Sequence, residues 1–215
     1  MTRILCAMIL LSVSVASPGG LAAAQDGPGP DAVQLPAIPA PVAVELDSRT
    51  TAFLVLDLNE AVCTPRPMCP PTLPQVASLL ARARAAGVTV VYSSGRTPTQ
   101  VLAPVAPRGD EPLVMGGANK FFQTDLDQIL VGAGANTLVI VGVSANGAPM
   151  YTSFEANSRG YTVVVADDGL SAASDFDLFL ARYQLLNQPG FDNPQNNPLM
   201  AGRVTLSRTD MITFR

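Results

Sequence analysis

Residues 137–172 read TLVIVGVSANGAPMYTSFEANSRGYTVVVADDGLSA. Thr137–Val143 (TLVIVGV) and Thr162–Ala166 (TVVVA) are continuous apolar runs rich in β-branched residues, as expected of strands buried on both faces. Pro149–Ser158 between them reads as a helix that ends before Gly160. Strand, helix and strand in that order place the two strands side by side and parallel, joined by a right-handed crossover with the helix on one face of the sheet.

The same alternation runs outward in both directions. Upstream, Thr51–Leu58 (TAFLVLDL) is a buried strand that ends near an acid, and Val88–Tyr92 (VTVVY) is another. Between them, Leu73, Val76, Leu79, Leu80 and Ala83 recur at helical spacing until Gly87, and Thr72 with Gln75 has the spacing of a capping box. After a Pro-rich stretch, Thr124–Val131 (TDLDQILV) reads as an amphipathic helix capped by Thr124. Downstream, Asp175–Leu186 (DFDLFLARYQLL) is a helix, and Val204–Leu206 and Met211–Phe214 are short strands. The expected fold is α/β: three layers, α/β/α, around a central, mainly parallel, Rossmann-like sheet. Any ligand crevice then lies at the carboxyl ends of the strands. Asp57, Asn59, Lys120 and the segment Gly142–Tyr151 all fall at such ends.

Composition narrows the function. The chain has 215 residues, 48% of them hydrophobic and 14% charged, enough for one domain with a full core. Lys and Arg number 13 against 17 Asp and Glu, with no basic run, so nucleic acid is not an expected partner. There is no His and no Trp, which removes the commonest metal ligand and the commonest general base; no His-based triad can form within this chain.

Residues 1–24 have the form of a secretory signal peptide. Arg3 precedes an apolar run from Ile4 to about Ala16, too short to span a bilayer, and Ala22, Ala23 and Ala24 offer a small-residue cleavage site. Its removal takes away one base and no acid, moving the net charge from −4 to −5. A periplasmic or secreted protein without stable membrane insertion is expected. Residues 25–42, rich in Pro, Ala and Gly, read as a tether, and the domain as residues 43–215. Cys63 and Cys69 survive processing. In an exported chain this pair invites a disulfide, which contributes roughly 2 kcal/mol on the chain-entropy account; two Cys with no His cannot complete a tetrahedral zinc site.

Several segments in order, LVLDLNEAVC (54–63), NKFFQTDLDQIL (119–130), the 137–172 stretch and VTLSRTDMITF (204–214), resemble the isochorismatase-like hydrolases. These are the cysteine hydrolases that include nicotinamidases and isochorismatases. The resemblance covers about residues 43–214, with Gly142, Gly147 and Thr152 in the family's GxxxxGxxxxT spacing. It implies a small-molecule substrate and possible homo-oligomers. The family's catalytic set is an Asp at the end of the first strand, a Lys before the second matching helix, and a Cys at the start of the helix after the third strand. Asp57 matches the Asp. Lys120, the only Lys in the chain, matches a branch with NKFF-like segments, whereas the usual register puts the Lys at Met115. The Cys position holds Ala148, and Ser144 and Ser153 have no His to activate them. Cys63 is better explained by the disulfide.

The resemblance therefore implies a branch without the nucleophile. Some isochorismatases work in this way, an Asp protonating a vinyl ether with the help of a cationic neighbour and a water. Gly147 and Ala148, at a helix start, offer backbone N–H groups to an anionic oxygen. Asn146 either donates to the same ligand or caps the helix. Asn59 stands where nicotinamidases place metal-ligating residues, but without His no metal and no cofactor is expected. Arg96, after the second strand, either clamps an anionic substrate or lies on the surface. Two functions follow: a hydrolase using Asp57 and Lys120, or a silent small-ligand-binding protein on the same fold.

Overall fold

Parallel pairing organises the chain. In the computed structural model, which describes residues 34–215, six strands form one sheet: β2 (Thr51–Leu56), β3 (Thr89–Ser94), β4 (Leu113–Met115), β5 (Thr137–Val143), β6 (Thr162–Ser171) and β7 (Val204–Ser207). Their order is β4-β3-β2-β5-β6-β7, and every neighbouring pair is parallel. Two further strands, β1 (Val44–Leu46) and β8 (Ile212–Phe214), pair with each other outside this sheet, also parallel. The expected signal peptide lies outside the described residues, as do residues 25–33 of the expected tether.

Side chains that alternate along each strand divide the core in two. Phe53, Val55, Val139, Val141 and Val164 face α1 (Leu73–Ala85), whose Val76, Leu79, Leu80 and Ala83 are buried against them. Leu54, Leu56, Leu138, Ile140, Val163 and Val165 belong to the opposite cluster. It takes in Leu126 and Leu130 of α2 (Leu126–Gly132), Ala156 of α3 (Ala148–Ser158) and Leu185 of α4 (Asp175–Leu186). This is the expected three-layer α/β/α arrangement. No described helix is long and apolar enough to cross a membrane.

Four details depart from expectation. The capping box before α1 does not form: Thr72 is itself helical (φ −82°, ψ −17°) and donates to the Cys69 carbonyl at 2.8 Å, while the Gln75 amide donates to the Asp168 carbonyl. Pro74, in the first turn, has no N–H for a cap to bind. Strand β6 runs five residues past Ala166, through a bulge in which its register with β5 jumps from Ile140↔Val165 to Gly142↔Leu170. The acids within it are satisfied: Arg182 pairs with Asp167, and the Thr209 N–H and hydroxyl donate to Asp168, each at 2.7 Å. Burial still pushes the Asp167 carboxyl above its ordinary value, against the opposing guanidinium. Third, β1 and β4, three residues each, escape the sequence reading. Fourth, the chain is held to the domain before residue 43, since Ile38 packs on the core, Ala40 accepts from Asn196, and Val42 donates to Leu206.

The strand order reverses between β2 and β5, from which the chain winds outward in opposite directions. Leu56 pairs with Ser93 on one side and Gly142 on the other, so Asp57 and Val143 leave the sheet side by side. Gly142 is required there. It adopts φ +145°, and a Cβ would sit 2.2 Å from the Leu56 carbonyl oxygen.

Candidate functional site

Asp57 is the first residue after β2, and it takes a left-handed conformation (φ +56°) that turns the chain out of the sheet. Its backbone N–H donates to the Ser93 carbonyl, and its own carbonyl accepts from Asn59. The carboxylate is held through one oxygen. Oδ1 accepts from the Ser93 hydroxyl at 2.9 Å and pairs with Lys120 Nζ at 2.8 Å. Oδ2 has no hydrogen-bond partner among the described residues, and the Asp57 side chain keeps 12% of its surface exposed. One oxygen is thus fixed while the other is available to a water or a substrate.

Lys120 is 1% exposed, an unusual depth for an ammonium, tolerable because the group is paired. Nζ also donates to the Ser94 carbonyl at 3.2 Å, and the Lys120 N–H to the Thr152 hydroxyl of α3 at 3.2 Å. Thr152 in turn donates to the Ala118 carbonyl, so α3 clamps the loop that carries the lysine. Asn59 is equally buried. Its Nδ2 lies 3.4 Å from Ser94 Oγ, and its Oδ1 accepts from the Val62 N–H, so the amide braces the loop after β2 at one end and ties it to the end of β3 at the other. That loop is closed by a Cys63–Cys69 disulfide whose two residues are fully buried, which commits the Cys63 sulfur. Among the described residues no group of three or more His, Cys, Asp and Glu is placed to hold a metal.

The segment after β5 is built differently. Ala148 is the first residue of α3, Gly147 precedes it, and no side chain caps the helix. The Gly147 N–H donates to the Ser144 carbonyl at 2.7 Å, whereas that of Ala148 has no partner among the described residues. Asn146 does not cap the helix. It donates at 2.9 Å to Asp177 in the first turn of α4, which Ser174 also holds, so it ties the start of α3 to the start of α4. Arg96 is exposed and makes no ion pair among the described residues. With Met115, Gly116, Gly117, Phe122 and Gln123 it lines a cavity of about 240 Å³ at the carboxyl ends of β3 and β4. Gly116 and Lys120 share the Ser94 carbonyl as acceptor, so this cavity adjoins the ion pair.

An isochorismatase domain profile matches residues 51–186, from the first residue of β2 to the last of α4. The chain belongs to the isochorismatase family. An uncharacterized isochorismatase family protein, YecD of Escherichia coli O157:H7, is 30% identical over 160 residues, covering 61% of this chain and 85% of that protein. Among solved structures, a cysteine hydrolase from Pseudomonas syringae pv. phaseolicola superposes with a TM-score of 0.66 at 18% identity, covering 83% of this chain and 95% of its own. An N-carbamoylsarcosine amidase from Thermoplasma acidophilum gives a TM-score of 0.62 at 20% identity, with 75% and 97% covered. At these identities the structural likeness speaks for the isochorismatase fold alone.

Of the residues expected at the site, Asp57, Lys120 and Asn59 are joined by direct contacts or through Ser94. Asn146, Gly147 and Ala148 form a second group around the start of α3, linked to the first through Thr152 and through the close approach of Gly142 to Leu56. Ser93 and Ser94 escape the sequence reading, which names Thr152 for its motif spacing and not for its hold on the lysine loop. The signal was the pair of hydroxyls closing the run VVYSS, but only the Leu56↔Ser93 register shows which acid they meet.

Proposed function

We propose that this chain is an exported hydrolase of the isochorismatase family that acts on a small molecule through Asp57, with Lys120 orienting the carboxyl and no cysteine nucleophile. The observation that carries the reading is the buried pair: Lys120 and Ser93 fix Oδ1 and leave Oδ2 to exchange a proton. Ala148 carries no nucleophilic atom, so the reaction class that suits the site is protonation of a vinyl ether. The carboxyl proton goes to the alkene carbon, and water adds at the carbon bearing the ether oxygen. The resulting hemiketal expels the alcohol, and the proton released by water returns to Asp57. The free Ala148 N–H offers a donor to an anionic oxygen of the substrate. Export is supported by the form of residues 1–24 and by a disulfide suited to an oxidising compartment.

The test uses isochorismate as a vinyl-ether probe. Asp57→Asn is expected to lower turnover by roughly two orders of magnitude or more, the share usual for acid–base catalysis, while binding of a product-like ligand changes much less. Unchanged turnover in folded variant protein refutes the mechanism. Ala148 favours a second reading, a silent binding protein in the same crevice; a wild-type chain that binds family substrates and products but turns none over decides for it.

A further inference from the structure

The cavity beside the ion pair brings together groups that the proton transfer at Asp57 leaves unused. It encloses about 240 Å³, and no acid lines it. Its one charged residue is Arg96, whose guanidinium has no hydrogen-bond or ion-pair partner among the described residues. Most arginines of this chain are committed. Among the described residues six pair with acids, three more donate to main-chain carbonyls, and Arg108 sits beside Glu111, whose carboxylate accepts from its N–H. Gln123 holds a left-handed conformation (φ +58°), which residues other than glycine adopt at a cost, and its amide has no partner among the described residues. Phe122 and Met115, 59% and 38% exposed, give the same cavity an apolar wall.

We propose that this cavity is a carboxylate subsite, and that the substrate is a small aromatic or unsaturated carboxylic acid whose flat body lies on Phe122 and Met115 while its carboxylate pairs with Arg96. Naming the occupant as substrate rests on the hydrolase reading of Asp57; the subsite itself does not. A single guanidinium presents two parallel N–H donors, which matches one carboxylate. A phosphate dianion asks for further donors, and the nearest are spent, the Gly116 N–H on the Ser94 carbonyl and Lys120 on Asp57 and the same carbonyl. The Asp57–Lys120 pair carries no net charge, so it neither repels an incoming carboxylate nor competes with Arg96 for it. The volume lies below the roughly 300–1,000 Å³ of pockets that enclose whole drug-sized ligands, and it suits one ring with its acid group. The wall of Phe122 and Met115 sets against a body rich in hydroxyls, and the Gln123 amide is left for one polar substituent. The Ser94 carbonyl is the seam between cavity and ion pair, so an acid anchored on Arg96 lies next to the carboxyl that the mechanism uses.

Calorimetric titration of the mature chain at low ionic strength, with benzoate and with its neutral counterpart benzamide, tests this. Benzoate is expected to bind roughly tenfold more tightly, the share of a charge-assisted pair in a partly open site. Arg96→Gln should remove that advantage and leave benzamide as it was, whereas Arg96→Lys, which keeps the charge and loses the fork, should recover only part of it. Phe122→Ala should weaken both ligands alike. Arg96 and Phe122 are exposed, so these variants do not threaten the fold. Benzoate that binds no better than benzamide, that binds Arg96→Gln as it binds the wild type, or that inorganic phosphate displaces at equal concentration overturns the proposal. Turnover of isochorismate separates the subsite from the hydrolase reading. A wild type that binds benzoate through Arg96 but turns nothing over loses the hydrolase reading and keeps the subsite; one that turns isochorismate over but ignores benzoate loses the subsite alone. Where both hold, benzoate should inhibit competitively and Arg96→Gln should relieve the inhibition, and non-competitive inhibition overturns the placing of the substrate in this cavity.

Discussion

Separating the Asp57–Lys120 pair should cost more than its removal. At 2.8 Å and an effective dielectric of about 20, the Coulomb attraction is on the order of 6 kcal/mol. Desolvation of two nearly buried charges offsets most of this, so the pair as a whole is close to neutral for stability, while one stranded member typically costs about 3–5 kcal/mol. Asp57→Asn strands Lys120, which is 1% exposed and then has only the Ser94 carbonyl. Lys120→Met strands Asp57, which keeps 12% exposure and the Ser93 hydroxyl. The first should therefore cost about 4 kcal/mol and the second about 3, the middle and the lower end of that range. For a chain of this length each kcal/mol moves Tm by roughly 2–4 °C. Asn tolerates the left-handed conformation at position 57, so Asp57→Asn changes the charge without adding backbone strain.

The decisive quantity is the double variant, which strands nothing. It should lose about 2 kcal/mol or more less than the sum of the two single losses. With no Trp in the chain, urea unfolding is best followed by far-UV circular dichroism. Single variants that cost under about 1 kcal/mol each, or a double variant additive to within about 0.5 kcal/mol, would refute the reasoning; the two charges would then not be interacting in solution.

Two more predictions concern parts away from this pair. Glu111 is paired with Arg84 at 2.6 Å; burial alone would raise its carboxyl, but the Arg84 guanidinium and the Arg108 N–H outweigh it and hold it below its ordinary value of 4.5. A depressed acid stabilises the fold above its unfolded pKa and loses that contribution as pH falls through the folded one. Glu111→Gln should thus cost about 1 kcal/mol or less at neutral pH and nothing at acid pH, and a cost that persists at low pH contradicts the assignment. Denatured, unreduced protein should show almost no free thiol beyond Cys6 where the leader is retained, and Cys63→Ser with Cys69→Ser should lose about 2 kcal/mol on loop entropy; two reactive thiols in the mature chain would reopen the role of Cys63.

What the sequence made legible follows from burial. The core strands β2, β3 and β5 and the first half of β6 are covered on both faces, so they appear as unbroken apolar runs, and the helices between them keep their spacing. Edge pieces such as β4 carry no such mark, because Leu113 and Met115 point outward and only Val114 reaches the core. Asp167 and Asp168 ended the reading of β6 too early, since the partners that satisfy them, Arg182 and Thr209, are distant in sequence. At the site, Asp57 was visible as an acid at a strand end and Lys120 as the only lysine. Ser93 was not, because its role exists only once Leu56 is set beside it. Asn146 stood out as a residue at a helix start, yet its donor is taken by Asp177, thirty-one residues away.

Burial also bears on why the ion pair is there. A buried pair is at best neutral for stability, and apolar residues of similar volume commonly serve a core as well or better. The surroundings of Asp57 and Lys120 could accommodate such residues: Leu56, Leu58 and Phe121 beside them are already buried and apolar. The pair is nonetheless supported on every side, by Ser93 on the carboxylate, Ser94 on the ammonium and Thr152 on the lysine backbone. These contacts orient the charges more than they add stability, and they converge at the point where the strand order reverses, which in open α/β sheets is where ligands bind. An oxygen held by two donors beside one with no partner among the described residues suits the proton transfer proposed for Asp57. A binding protein needs only a cation or a donor facing its ligand, and it gains nothing from a carboxylate placed to neutralise that cation. The geometry of the pair is therefore what supports the proposed chemistry at Asp57, while Ala148 at the start of α3 supports the binding reading.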